Sequence, residues 1–263
     1  MTPALPLLRP AWPAPAHVGA AMSQRAGGVS QGPYAALNLG VAVGDEPAAV
    51  AENRARFSAA LGARPVWLRQ VHGVNVLRLH AGGDTTPPES ADAACTTDVG
   101  VACTVQAADC MPVLFTLRDG SAVAAAHAGW RGLAAGVLEA TVRALCALAP
   151  PDRQAGPADV LAWLGPCIGP RAFEVGAEVL LAFGHDPAAP DGLRFVYRPR
   201  PDGAPRWLAN LPLLARERLQ AAGVQAITDG SACTVEDPSS FFSFRRDGVT
   251  GRMAAAVWRR CGR

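Results

Sequence analysis

The chain contains no lysine; all 24 of its basic residues are arginine. That absence excludes mechanisms that need a lysine, such as a Schiff base or the phosphate-gripping lysine of a P-loop. No run approaches eighteen apolar residues free of charge and proline, so no membrane-spanning helix and no membrane partner is expected. There is no Cys-x-x-Cys pair, and seven cysteines, odd in number and irregularly spaced over 263 residues, do not make the framework of a disulfide-stapled secreted domain. A reducing cytoplasm fits this usage best. Residues 1–22 are apolar but interrupted by Pro3, Pro6, Pro10, Pro13 and Pro15 and by Arg9, unlike the unbroken core of an export signal. Histidine is scarce as well, with five residues and no His-x-His pair.

What is present is apolar bulk. Half of the 263 residues are hydrophobic, enough for a large core, and no composition break marks a boundary, so one domain over residues 1–263 is expected behind a proline-rich N-terminal stretch at 1–22. A formal charge of +2, spread along the chain without a long run, calls for no nucleic-acid partner.

Periodicity predicts helices over 46–61, closed by Gly62, from about Gly132 to Pro150, and over 176–183 and 208–222. Strands are predicted at 66–68, 74–79, 99–106, 112–117, 122–126, 160–164, 193–197, 225–228, 241–244 and 253–258. Strand and helix signals alternate irregularly, with hairpins as well as crossovers. This favours a mixed α/β or α+β sandwich over a doubly wound parallel sheet.

The chemistry-bearing residues converge on one hairpin. Cys110 precedes the 112–117 strand and His127 follows the 122–126 strand, with a turn at Arg118-Asp119-Gly120 between them, so both belong at the same end. His72, in Gln70-Val71-His72-Gly73, lies at a strand end or turn. His17, His80 and His185 fall in turns or surface loops, and Cys95, Cys103, Cys146 and Cys261 are expected to be ordinary buried cysteines. Cys110 with His127 and His72 supplies three ligands for Zn²⁺ and leaves a fourth position open, the pattern of a catalytic zinc site. The same Cys110 and His127 also suit a metal-free nucleophile and base, as in cysteine hydrolases. Gly129-Trp130-Arg131-Gly132 opens a helix where an anion can be held, and Phe241 to Arg252 combines aromatic faces with Arg245, Arg246 and Arg252.

These segments, together with Gly27-Gly28-Val29-Ser30, Asn38-Leu39-Gly40, Ala108-Asp109-Cys110-Met111-Pro112 and Leu164-Gly165-Pro166-Cys167-Ile168-Gly169-Pro170, resemble in order and over nearly the whole chain the laccase-domain, or YfiH-like, family. The resemblance implies a layered α/β sandwich with mixed sheets, related in fold to deamidating cysteine-hydrolase toxins. It implies a zinc-dependent purine nucleoside phosphorylase, acting on adenosine, inosine, guanosine and methylthioadenosine with inorganic phosphate, that also deaminates adenosine. The family's metal and catalytic triplet falls on His72, Cys110 and His127, and Arg131, Arg245, Arg246 and Asn38 are taken as substrate-binding. Asp109 and nearby acids are candidates for protonating the leaving base. A monomer is compatible with this reading. Departures are Ser23-Gln24-Arg25, where the family has Thr-x-Arg, and Arg171-Ala172-Phe173, where it often has a second cysteine or tyrosine. The family's older label, multicopper oxidase, needs about four coppers held mainly by His-x-His pairs. Five histidines without such a pair exclude that mechanism, although copper can replace zinc in the triplet. Two rival classes remain, a metal-free Cys110/His127 amidase or deamidase acting on a small amide and a nucleoside-binding protein without turnover.

Overall fold

The structure, a computed structural model, describes residues 5–86, 89–150, 152–230 and 232–260. Two mixed sheets stack face to face. The first orders β1 (Leu7–Leu8), β2 (Val18–Ser23), β14 (Met253–Arg259), β6 (Val101–Ala107) and β3 (Arg64–Trp67), with β3 parallel to β6 and the other pairs antiparallel. The second orders β13 (Ala226–Asp229), β9 (Val160–Leu164), β7 (Met111–Leu117), β8 (Val123–Ala128), β5 (Ala93–Thr96) and β4 (Val76–Arg78). A small antiparallel sheet of β10 (Glu174–Val175), β12 (Trp207–Ala209) and β11 (Phe195–Tyr197) stands apart from both.

Alternation of side chains sorts each strand into two cores. Val123 and Ala125 of β8 and Leu114 of β7 join Met22, Cys103, Val105, Ala255 and Val257 between the sheets. The opposite residues, Val113, Phe115, Ala124 and Ala126, meet Leu133, Leu138, Val142 and Leu219 on the helical side. On the far face of the first sheet, Ala102, Ala254, Ala256 and Trp258 pack on Phe57 and Leu61. The layers therefore run helix, sheet, sheet, helix, the mixed α/β architecture expected.

Helix α1 (Pro47–Leu61) has proline in its first turn and ends at Gly62, whose φ of 65° is the left-handed conformation glycine tolerates. The helix predicted from Gly132 is two: α2 (Trp130–Ala135) and α3 (Val137–Cys146), broken at Gly136 with φ 100°. The amphipathic spacing continues through the break, so periodicity alone hides it. Helix α4 (Ala177–Ala182) falls within its predicted span. Helix α5 (Leu211–Ala221) starts three residues later than its periodicity, because Asn210 caps the Leu213 N–H and Trp207–Ala209 pairs as β12.

Three other expectations are corrected. The proline-rich stretch ends in β2, fully buried between β1 and β14; Val18-Gly19-Ala20-Ala21-Met22-Ser23 is too poor in branched residues to read as a strand. Residues 241–244 form no strand: Phe241 and Phe242 are both buried and Ser243 caps the one-turn helix α6 (Phe244–Asp247), its hydroxyl accepting from the Arg246 N–H. Cys146, the last residue of α3, is half-buried, while Cys95 and Cys103 are buried as expected; Cys261 and residues 87–88 of the loop predicted before Ser90 lie outside the described residues. Among the described residues, no helix is long and apolar enough to cross a membrane.

The glycine-rich loops at 27–40 carry only a single 3-10 turn, Gly32–Tyr34, and are held from α1 by Arg54 on Leu39 O, Arg56 on Gly27 O and, at most points, by Asn53. Asn53, wholly buried, accepts from the Val29 N–H at 2.9 Å and donates to Ala36 O, Asn38 O and Ser30 Oγ. Replacing Asn53 by alanine strands these groups in the interior, and a loss of about 3 kcal/mol is expected in urea unfolding. A midpoint unchanged from the parent protein would show that the loops are held otherwise.

Candidate metal centre

The chain crosses from the first sheet to the second at Ala108-Asp109-Cys110, between β6 and β7. In the β7–β8 ladder Pro112 faces His127 and Met111 faces Ala128, so Cys110 and His127 meet at the same end of the hairpin. The parity of β8 puts His127 on the inter-sheet side, with Val123 and Ala125. His72 arrives on the bend after β3. Donor atoms of His72, Cys110 and His127 all lie within 4.8 Å of one another. Cys110 Sγ stands 3.7 Å from His72 Nε2, and the two imidazoles meet edge to face with centroids 4.8 Å apart.

A residue absent from the sequence expectations holds this arrangement. Asp92, wholly buried at the start of β5, accepts four hydrogen bonds: Oδ1 from the His72 N–H at 2.8 Å and from His127 Nδ1 at 2.9 Å, Oδ2 from the Gly73 N–H at 2.7 Å and the Val71 N–H at 3.1 Å. Two carboxylate oxygens offer about four lone-pair sites, and all are taken. Burial disfavours the Asp92 charge, yet His127 and the Gly73 and Val71 amides together hold its pKa below the ordinary value. With Nδ1 bonded to Asp92, His127 presents Nε2 to the cluster, which is the orientation a metal-binding histidine takes from a carboxylate behind it. The signal in the sequence was a lone acid inside the apolar run Ala91 to Cys95, since a buried charge requires partners.

Strain and close approach mark the same place. Among described non-glycine residues only His72 (φ 61°) and Asp109 (φ 95°) have positive φ, and both border the cluster. A Cβ on Gly129 would lie 2.7 Å from His72 Cδ2 and 2.9 Å from Cys110 Sγ, so the Gly129-Trp130 turn packs glycine directly under the ligands. The helix it opens, α2, has only six residues.

The donor set suits Zn²⁺. Bonds of about 2.1 Å to nitrogen and about 2.3 Å to sulfur at a tetrahedral angle put the two ligand atoms about 3.6 Å apart, close to the 3.7 Å between Cys110 and His72. His72 is exposed, so its ring has room to close on an ion. Copper accepts the same nitrogen and sulfur donors, but three ligands are far fewer than multicopper chemistry needs.

The remaining predicted residues divide. Arg131 is exposed, its guanidinium 4.2 Å from the Trp130 ring. Arg245 bonds its own N–H to Asp109 Oδ2, rests 5.5 Å from the Phe173 ring and gives Nη1 to Glu174 O. Arg246 has no donor left for a substrate: Nε and Nη2 hold Asp247, Nη2 also holds Phe241 O, and Nη1 holds Thr234 O and Val235 O. Asn38 is wholly buried, with its amide on Gly40 O and Asp45 and its oxygen on the Gly40 and Arg252 N–H groups. The polar atoms of Arg246 and Asn38 are thus engaged within the chain itself. Asp109 accepts from Thr234 Oγ1 and from the Arg245 N–H, both at 2.6 Å, which makes it a positioning group. Of the other histidines, His17 and His80 are exposed and His185 is half-buried.

Burial would push the Cys110 thiol up, but the His127 and His72 imidazoles beside it bring it down to about 6, while burial drives Cys95 up to about 11 and Cys103 and Cys167 well above the ordinary value. The thiolate is the nucleophile, so its reactivity falls as pH drops through the thiol pKa. In chelator-treated protein, iodoacetamide is expected to modify Cys110 with a midpoint near pH 6, with Cys95, Cys103 and Cys167 untouched, as read by peptide mass spectrometry. A midpoint above pH 8 would refute the electrostatic picture. Asp92→Asn removes one of the two shared acceptor oxygens and is expected to weaken Zn²⁺ binding by about 10- to 100-fold in competition with a chromophoric chelator.

Comparison with known proteins agrees over nearly the whole chain. A sequence model of the family described as multi-copper polyphenol oxidoreductase laccase matches residues 19–260. The chain is 51% identical over 251 residues to the purine nucleoside phosphorylase PA4543 of Pseudomonas aeruginosa, covering 95% of this chain and 97% of that one. It is 48% identical to the purine nucleoside phosphorylase YfiH of Escherichia coli K12, over 96% and 98% of the two chains. Among solved structures it superposes on the Neisseria meningitidis protein NMB0706 with a TM-score of 0.85 at 43% identity, over 97% and 99% of the chains. YlmD from Geobacillus stearothermophilus follows with a TM-score of 0.83 at 31% identity, over 99% and 98%. The chain therefore belongs to the laccase-domain, YfiH-like family.

Proposed function

We propose that this protein is a zinc-dependent purine nucleoside phosphorylase that also deaminates adenosine, built as one catalytic unit over residues 1–263 and working in the cytoplasm. The observation that carries the reading is the convergence of His72, Cys110 and His127, oriented by Asp92, in a chain about half identical to two purine nucleoside phosphorylases. Zinc held by these three would supply Lewis-acid charge and a water of lowered pKa.

The other roles fall to the chain itself. A cavity of ≈ 500 Å³ is lined by Trp130, which follows Gly129 in the chain, by Arg245, whose N–H bonds Asp109, and by Phe173, Glu174, Glu178 and Arg206. Its aromatic faces suit a purine and its volume a nucleoside. Arg131 and Arg245 keep donors that steer phosphate and ribose hydroxyls. In phosphorolysis a phosphate oxygen bonds to C1′ as the C1′–N9 bond breaks; N9 keeps the electron pair and takes a proton from solvent, giving ribose 1-phosphate and free base. In deamination water adds at C6 and ammonia leaves, giving inosine.

The rival amidase reading needs only Cys110 and His127 and leaves His72 without a task, although Asp92 bonds directly to the His72 backbone. Adenosine and inosine, each with and without phosphate, are expected to yield adenine and hypoxanthine only with phosphate, adenosine alone to yield inosine, and a chelator to abolish all three products by chromatography. Turnover of amides that survives chelation, with no nucleoside product, would replace this reading by the rival one; binding of nucleosides without any product would make the protein a binding protein.

A further inference from the structure

We propose that Arg252 seats the phosphate that attacks the nucleoside, an inference that rests on the phosphorolysis reading. The backbone sets its position. In the β14–β6 ladder Met253 faces Ala107, so Arg252 stands beside Ala108, at the end of the sheet from which the chain crosses to Cys110. Asn38 Oδ1 accepts the Arg252 N–H at 2.8 Å, and the stem passes over Gly40, where a Cβ would lie 2.7 Å from Arg252 Cγ. The loop residues Asn38 and Gly40 therefore serve this arginine.

The guanidinium is half-buried, with its carbon 5.8 Å from the centre of the Phe244 ring. Nη1 donates to Thr250 O at 3.0 Å and Gly251 O at 3.1 Å. Among the described residues Nε and Nη2 have no hydrogen-bond partner, and no carboxylate pairs with the group. Arg246, six residues earlier, has every donor occupied. Desolvation of the Arg252 charge is opposed by Cys110 and Asp109, the negative groups whose field it feels most. Beside it the Thr250 hydroxyl, in a residue 2% exposed, is buried with no partner. A half-buried cation with two donors left without a protein partner suits an anion, which would offset its partial desolvation.

The unoccupied edge defines the ligand. Nε–H and Nη2–H point the same way and form the two-pronged fork that grips two oxygens of one oxyanion. Arg131 and Arg245 are exposed, so they suit capture, whereas Arg252 is placed to hold the anion still at the thiol end of the cluster. Inorganic phosphate held there presents a further oxygen to C1′, and the purine departs with the C1′–N9 electron pair.

The test uses zinc-loaded protein with Arg252→Gln and Arg252→Lys. Calorimetric titration with inorganic phosphate alone reads the site without turnover, and KM is measured separately for phosphate and for inosine. Arg252→Gln is expected to weaken phosphate binding and to raise KM for phosphate by about tenfold or more, because bonds to a charged group are lost, with KM for inosine within about twofold. Arg252→Lys, a point charge on a similar stem, is expected to fall between the two and to melt at the parent temperature. Unchanged phosphate affinity in both variants, or KM for inosine rising in parallel, would overturn the role of Arg252. If the parent binds phosphate through Arg252 but makes no ribose 1-phosphate, the phosphorylase reading fails and the anion site stands. If the parent phosphorolyses inosine and Arg252→Gln keeps its KM for phosphate, the reverse holds, and a parent that binds no phosphate ends both.

Discussion

The Asp92 carboxylate is the constraint on which the site depends. Its two oxygens hold three consecutive amides of the Val71–Gly73 bend and one imidazole nitrogen, so one group fixes where His72 is and which way His127 faces. The backbone strain at His72, of order 1–2 kcal/mol for a non-glycine residue at positive φ, persists because these bonds over-determine the bend. A second carboxylate repeats the arrangement opposite: Asp109, also at positive φ, bonds Thr234 and the Arg245 amide and so fixes the chain around Cys110. Each acid is buried and turned inward, and each acts through what it holds.

Much of this architecture was legible in the sequence, for physical reasons that differ by residue. The meeting of Cys110 and His127 followed from a hairpin whose tight turn sets the register, and register fixes both end and face. His72 could be chosen from five histidines because a glycine follows it at a strand end. Asp92 could not, since nothing local says which distant amides a buried acid will find. Residues 241–244 misled because consecutive aromatics read as β-formers, whereas the Ser243 hydroxyl and the Asp109 carboxylate capture the Arg246 and Arg245 amides and turn the chain into a helix. The same limit applies to the arginines. Arg245, Arg246 and Arg252 share one segment and one charge, yet their neighbours give them three different tasks.

The family's copper-oxidase label and its phosphorylase members describe incompatible chemistries, and residue counts distinguish them. Three donors with an open position suit one ion acting on charge and on water; they do not suit the several coppers over which oxygen reduction is shared. The glycine under the ligands sharpens the point. With no space for a methyl group at Gly129, the floor of the site is backbone.

The crossing from β6 to β7 has a mechanical consequence. His72 hangs from the first sheet, His127 from the second, and Cys110 from the span between them, so an ion gripped by all three rivets the two halves of the sandwich at one edge. Any shear of one sheet over the other must then stretch metal–ligand bonds, and stiffness at this edge becomes a property of the loaded protein.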